Sequence, residues 1–234
     1  MTQPSPITQN IRQFEDALNA ELTVLGRERH SVTLVAVTKT VPPEAIASAI
    51  AAGLTDLGEN RVQEAKVKIS QVRADAAPTW HLIGHLQTNK TRDAVALFDL
   101  IQSVDRGELA DAIEHRSDAA GKTQDVLIEV NTTGERQKSG CRPESLDDLV
   151  GHVVGLRHLR IRGLMTIGPF VDETAPIARS FRTLRSAFDR LARIDLGFGA
   201  MLHCSMGMSG DWRIALAEGS TMLRIGRAIF GERH

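Results

Sequence analysis

Val32-Thr33-Leu34-Val35-Ala36-Val37-Thr38-Lys39 is an unbroken apolar and β-branched run that ends on a lysine, and Pro42-Pro43 follows almost at once. A run that does not alternate with polar residues has no solvent face, so it reads as a strand buried on both sides, as in parallel sheets covered by helices. Proline fixes φ near the helical value and suits a first helical position, so the segment from Pro43 reads as a helix. Outward from this strand and helix the same unit recurs. Strands are expected near residues 32 to 38, 55 to 58, 79 to 84, 98 to 104, 125 to 131, 159 to 166, 200 to 205 and 221 to 225, each short and rich in Val, Ile and Leu.

Helices fill the intervals. Ile46, Ala49 and Ile50 precede Gly53; Val62, Ala65, Ile69 and Val72 form a second stripe; Ile177, Phe181, Leu184, Phe188 and Leu191 form a third. Spacings of three and four put each set on one helical face, a core-packing pattern that carries no function of its own. Asn60 with Gln63, and Asp105 with Glu108, have capping-box spacing, and Pro143 suits a first helical position ahead of Leu146, Leu149, Val150 and Val153. Strands alternating with helices in this number belong to the α/β class and favour a single (β/α)8 TIM barrel over a doubly wound sheet. Ahead of them, Ile11, Phe14, Leu18, Leu22 and Leu25 make an amphipathic helix that Gly26 can end. Only nine residues, Gly226 to His234, follow the last strand, too few for a full eighth helix. The N-terminal helix is therefore expected to cover the seam between the last and first strands, and residues 1–234 to form one domain.

A chain of 234 residues can bury a sizeable core. With 42% hydrophobic residues, 24% charged residues and a net charge of -1, it has the composition of a soluble globular protein, which argues against a nucleic acid or a membrane surface as main partner. The 22 arginines against 6 lysines still leave room for a local anion site. Cys141 and Cys204 lie far apart, and Met1-Thr2-Gln3-Pro4-Ser5-Pro6 has neither a basic start nor an apolar stretch of signal-peptide length. The expected compartment is the cytoplasm, with both thiols reduced. The chain contains no tyrosine.

In barrels of this kind function gathers at the carboxyl ends of the strands, and phosphate is often held after the seventh and eighth. Lys39 is delivered to that end. A desolvated amine there is more easily neutral, and the neutral form attacks an aldehyde. Strand two runs into Gly58-Glu59-Asn60, strand three into Gly84-His85 and strand five ends at Asn131. Strand seven leads into Cys204-Ser205-Met206-Gly207-Met208-Ser209-Gly210, and strand eight into Arg224-Ile225-Gly226-Arg227. Gly207 and Gly226 would let backbone N–H groups approach an anion, Ser205 and Ser209 offer hydroxyls, and a helix starting near Asp211 would present its positive end. Each feature alone also reads as ordinary turn chemistry, and Lys39 alone as a surface lysine past a strand. An amine for an aldehyde together with a cradle for a phosphate describes pyridoxal 5′-phosphate (PLP).

Ala36-Val37-Thr38-Lys39, Gly58-Glu59-Asn60-Arg61-Val62-Gln63-Glu64, Trp80-His81-Leu82-Ile83-Gly84-His85-Leu86-Gln87-Thr88-Asn89-Lys90, Lys138-Ser139-Gly140, Arg162-Gly163-Leu164-Met165, Ser205-Met206-Gly207-Met208-Ser209 and Gly219-Ser220-Thr221-Met222-Leu223-Arg224-Ile225-Gly226 resemble the pyridoxal phosphate homeostasis family, in order and over nearly the whole chain. The resemblance implies a barrel like the N-terminal domain of alanine racemase, known as PLP fold type III. It implies PLP as cofactor with a Schiff base on Lys39, and Asn60, Ser205, Arg224, Gly226 and Arg227 as further cofactor-binding positions. Ser205, Gly226 and the backbone of Arg227 would lie at the phosphate. Where many members carry Thr or Ser after Arg-Ile-Gly, this chain has Arg227, so a hydroxyl is replaced by a guanidinium that can donate a charge-assisted bond or point away. The implied role is binding, shielding and transfer of PLP inside the cell. PLP-dependent apoenzymes would be the acceptors, no nucleic acid or membrane would be a partner, and the protein would be a monomer or a weak homodimer.

The alternative is a minimal PLP-dependent amino acid racemase. On this fold a racemase uses a tyrosine opposite the lysine, supplied by a second β-rich domain, and the chain has neither, which leaves His85, His203 or Cys204 as opposing base. By analogy with alanine racemase, Arg224 facing the pyridine nitrogen would also disfavour protonation of the ring and make it a poorer electron sink. No catalytic residue is assigned. Gly207-Met208-Ser209-Gly210-Asp211 half resembles a serine-hydrolase elbow, but its fifth position is Asp and the only later histidine is His234. His81 and His85, four apart on a strand, would lie about 13 Å apart, so no metal site is expected. Cys141 reads as an inert loop cysteine.

Overall fold

A computed structural model describes residues 5–72, 77–135, 137–197 and 201–231. Its strands are β1 (Thr33–Val37), β2 (Asp56–Glu59), β3 (Thr79–Leu82), β4 (Leu100–Val104), β5 (Gln124–Glu129), β6 (Leu159–Met165), β7 (His203–Ser205) and β8 (Met222–Ile225). They pair in sequence order, all parallel, and β8 pairs back onto β1 to close the barrel. The helices are α1 (Pro6–Val24), α2 (Pro43–Ala51), α3 (Val62–Gln71), α4 (Thr91–Leu97), α5 (Gly107–Ala119), α6 (Leu146–Val154), α7 (Thr174–Leu191), α8 (Trp212–Ala217) and α9 (Arg227–Phe230). Every expected strand is present. Ala200, assigned to the seventh strand by the sequence pattern, and residues 232–234 of the tail lie outside the described residues.

Period two along the strands separates two cores. Leu34, Ala36, Leu223 and Ile225 point outward into the shell under the helices, while Val35, Leu100, Leu127, Met165 and Met222 form a second cluster that fills the barrel interior. The outer core is held by the helical stripes: Ile177, Phe181, Leu184, Phe188 and Leu191 of α7 are all buried. Each such side chain contributes about 1.5–3 kcal/mol on burial.

After β8 the described residues form the single turn α9, and α1 covers the seam. Phe14 stacks obliquely on Trp212 of α8 with centroids 5.2 Å apart. Asn10 Nδ2 donates to the Ile229 carbonyl of α9 at 3.0 Å. Arg27, just past the end of α1, donates to the Leu216 and Ser220 carbonyls at 3.1 and 2.7 Å.

The two capping boxes do not form. α3 starts from Arg61 and α5 from Arg106, each without a side-chain cap. The Asp105 carboxylate is drawn instead to Arg106 at 2.6 Å and His85 at 3.7 Å. A full opposite charge within reach outcompetes a backbone amide.

Candidate cofactor site

β1 ends at Val37, Thr38 is fully buried, and Lys39 emerges half-buried at the carboxyl end of the barrel. The Val41 N–H donates to the Thr38 carbonyl at 2.9 Å and closes a tight turn around the lysine. Thr40 sits in that turn at φ 63°, the one non-glycine residue in the left-handed region among those described. A β-branched residue held there stores about 1–3 kcal/mol of strain. Lys39, Thr40, Gly226 and Arg227 line one cavity of about 200 Å³, whose walls include Val37, Val41 and Phe230.

The turn rests on a buried ion cluster that sequence reasoning missed. Lys68 of α3 is 8% exposed, and its Nζ donates to the Thr38 carbonyl at 2.5 Å, Glu59 Oε1 at 2.9 Å and Glu64 Oε1 at 2.6 Å. Thr38 Oγ1 donates to Glu59 Oε1 at 2.6 Å, and the Thr40 N–H to Glu64 Oε1 at 2.6 Å. Burial pushes the Glu59 carboxyl up, against hydrogen bonds from Thr38 and Lys68 that pull it down. At Glu64 burial also pushes upward, but the bonds from Lys68 and Thr40 prevail and hold its carboxyl below the usual range. The available signal was the four-residue spacing of Glu64 and Lys68 on one helix, with Lys68 three residues past Ala65 of the apolar stripe.

On β8, the strand that pairs with β1, Arg224 is 4% exposed and donates to Ser205 Oγ at 2.6 Å and the Thr166 carbonyl at 2.7 Å. Burial lowers its guanidinium to about 10, so it stays charged at neutral pH. Ser205 Oγ in turn donates to Gln102 Oε1 at 2.7 Å, Gln102 Nε2 lies 3.0 Å from His81 Nδ1, and His81 Nε2 lies 3.0 Å from Asp56 Oδ1. A row of hydrogen bonds thus crosses the interior from the start of β2 to the mouth. Glu129 ends β5 nearby, and burial pushes its carboxyl up to about 7, with Asp105 adding to the effect and Arg224 opposing it.

Of the expected residues, Lys39, Gly226 and Arg227 share one cavity; Ser205 and Arg224 are bonded to each other in the interior. Asn60 lines a second hollow of about 350 Å³ with Arg61, His85 and Lys90. The Ser205 hydroxyl proton is committed to Gln102, so a contact from it to a phosphate requires a change of partner. Gly207 at φ 97° lets the loop after β7 lie against α8, where a Cβ would meet that of Ala215 at 2.5 Å.

The residues named as opposing bases are dispersed. His203 begins β7 at the far end of the barrel, and burial, with the neighbouring His81, lowers it to about 4. Cys204 is fully buried in the outer core and pushed up to about 12 by burial, as is Cys141. His85 lies on the loop after β3, near Asp105 and Ser139. Ser209 stands four residues past β7 rather than at a strand-to-helix elbow, and His234 is outside the described residues.

The profile of the family "Alanine racemase, N-terminal domain" matches residues 15–234. A pyridoxal phosphate homeostasis protein of Aquifex aeolicus is 43% identical over 89% of this chain and 90% of its own. Its counterpart in Escherichia coli K12 is 39% identical over 97% of both chains. The chain belongs to the pyridoxal phosphate homeostasis protein family. Among solved structures, PipY of Synechococcus elongatus PCC7942 with PLP bound superposes with a TM-score of 0.82, at 34% identity, over 96% of this chain and all of that one (100%). D-threonine aldolase of Filomicrobium marinum shares the barrel with this homeostasis-family chain at a TM-score of 0.72 and 19% identity, covering 96% of this chain and 60% of that one, a likeness of fold alone.

Proposed function

We propose that this protein binds PLP through Lys39 and acts in intracellular PLP homeostasis, holding, shielding and transferring the cofactor with little or no catalysis of its own. The observation that carries the reading is the single cavity lined by Lys39, Gly226 and Arg227. The donor set fits the cofactor: an amine for the aldehyde, a glycine edge beside a guanidinium for the phosphate, and a second guanidinium, Arg224, fixed in the interior by two hydrogen bonds. Bound PLP would supply an aldehyde, and the Lys39 amine is the group that would hold it covalently. The Lys39 turn fixes where that amine stands. Asn60 and Ser205 complete the set of contacts, the latter through its loop or by exchanging its hydroxyl partner. The names of the relatives and the PLP-bound neighbour support the reading. Acceptors would be PLP-dependent apoenzymes in the cytoplasm, and the protein would act as a monomer or weak homodimer. No helix among the described residues is long and apolar enough to cross a membrane.

The test is the visible absorption spectrum of purified protein with added PLP, followed by borohydride reduction and peptide mass spectrometry. A new band with the trapped adduct on Lys39, abolished in Lys39→Ala, is expected. No band, or an adduct spread over the 6 lysines, would overturn the reading. The racemase alternative is disfavoured by the absence of tyrosine and by the positions of His203 and Cys204. Exchange of an amino acid α-proton with solvent deuterium, dependent on Lys39, would reinstate it.

A further inference from the structure

We propose that Lys68, acting with Glu59 and Glu64, is a positioning residue for Lys39: it sets the turn that carries the amine without touching the cofactor. The inference rests on the reading that Lys39 is the attachment point. Both neighbours of Lys39 are tied to the same ammonium group. On one side Lys68 holds the Thr38 carbonyl; on the other Glu64, itself bound to Lys68, accepts the Thr40 N–H. Glu59 closes the loop by joining Lys68 to the Thr38 hydroxyl.

The cluster is costly in a way that stability alone does not explain. Lys68 and Glu59 have side chains 10% and 0% exposed, and Glu59 Oε2 is buried with no hydrogen-bond partner among the described residues. Apolar residues of similar volume would generally hold such a position at least as well. Lys66, two residues before Lys68 on the same helix, shows the ordinary arrangement: its pair with Asp93 is open to solvent, with side chains 60% and 40% exposed. The strained Thr40 gives the buried cluster its purpose. Left untied, a threonine at φ 63° relaxes toward negative φ, and that rotation swings the Lys39 backbone next to it. A long side chain amplifies such a swing, and displacements near 1 Å are enough to slow a reaction that depends on approach geometry.

The experiment compares wild type, Lys68→Met, Glu64→Ala, Glu64→Ala with Thr40→Asn, and Lys66→Met, following the rate of the PLP band and the adduct at Lys39. Lys68→Met and Glu64→Ala are expected to slow its formation on the order of ten-fold. Asparagine tolerates the left-handed region, so Thr40→Asn is expected to restore most of the rate in the Glu64→Ala background. Lys66→Met should match wild type. Adduct formation at the wild-type rate in Glu64→Ala, no recovery with Thr40→Asn, or an equal loss in Lys66→Met would each overturn the proposal. Should Lys68→Met fail to fold, Glu64→Ala decides, since that side chain is 27% exposed. Amide exchange over residues 38–41 in cofactor-free protein reads the turn separately. Faster exchange in Glu64→Ala supports the proposal and unchanged exchange overturns it, whether or not wild type forms an adduct, whose absence would sink the proposed function.

Discussion

Burial at the mouth of the barrel changes what a single carboxyl group does to stability. Glu129 is 4% exposed and ionises near 7 instead of near 4.5, chiefly through desolvation. Between those values the folded protein keeps a proton that the unfolded chain has released. Its contribution is therefore fully present below about pH 4.5 and is lost as the pH rises through about 7, a change on the order of 3 kcal/mol. In cofactor-free protein, Glu129→Gln is expected to melt higher than wild type at pH 8 and to differ little at pH 4.5; equal slopes of melting temperature against pH would contradict this. The position of Lys39 could be read from the sequence because it follows an unbroken apolar strand at the end that faces the mouth, whereas Arg224, inside β8, was implied by the family resemblance. Lys68 and Gln102 could not, because what gives them meaning is a partner 30 residues away for the first and 103 for the second.

At the level of elements, periodicity carried nearly everything: unbroken apolar runs became buried parallel strands, and stripes at three and four became the buried faces of helices. Where the sequence misled was at helix starts, since capping-box spacing says nothing of a competing arginine or histidine such as those around Asp105. The contacts of α1 with α8 and α9 place it over the seam, and that placement makes a sharp prediction. Leu18 is fully buried under the seam, so Leu18→Ala should cost about 2–5 kcal/mol in chemical denaturation. Val24, 82% exposed near the end of the same helix, should tolerate alanine within about 0.5 kcal/mol. Equal losses at the two positions would mean that α1 does not pack as described.

Closure is a property of the whole molecule, and one glycine shows how tight it is. Gly163 of β6 has φ 156°, and a Cβ there would stand 1.8 Å from the His203 carbonyl oxygen of β7. Gly163→Ala is expected to lose cooperative unfolding by circular dichroism, because backbone on the neighbouring strand cannot step aside as a side chain can; a cooperative transition like that of wild type would count against the register of β6 on β7. The row of bonds from Asp56 to Arg224 spans the same closed interior, and it has a polarity. With the Asp56 carboxylate accepting from His81 Nε2–H, Nδ1 accepts from the Gln102 amide, whose carbonyl then takes the Ser205 proton. Each link fixes the next, so Ser205 Oγ accepts from Arg224 while its own proton goes to Gln102. A hydroxyl near the mouth thus takes its orientation from a carboxylate near the floor, through an imidazole and an amide that each have one way to face.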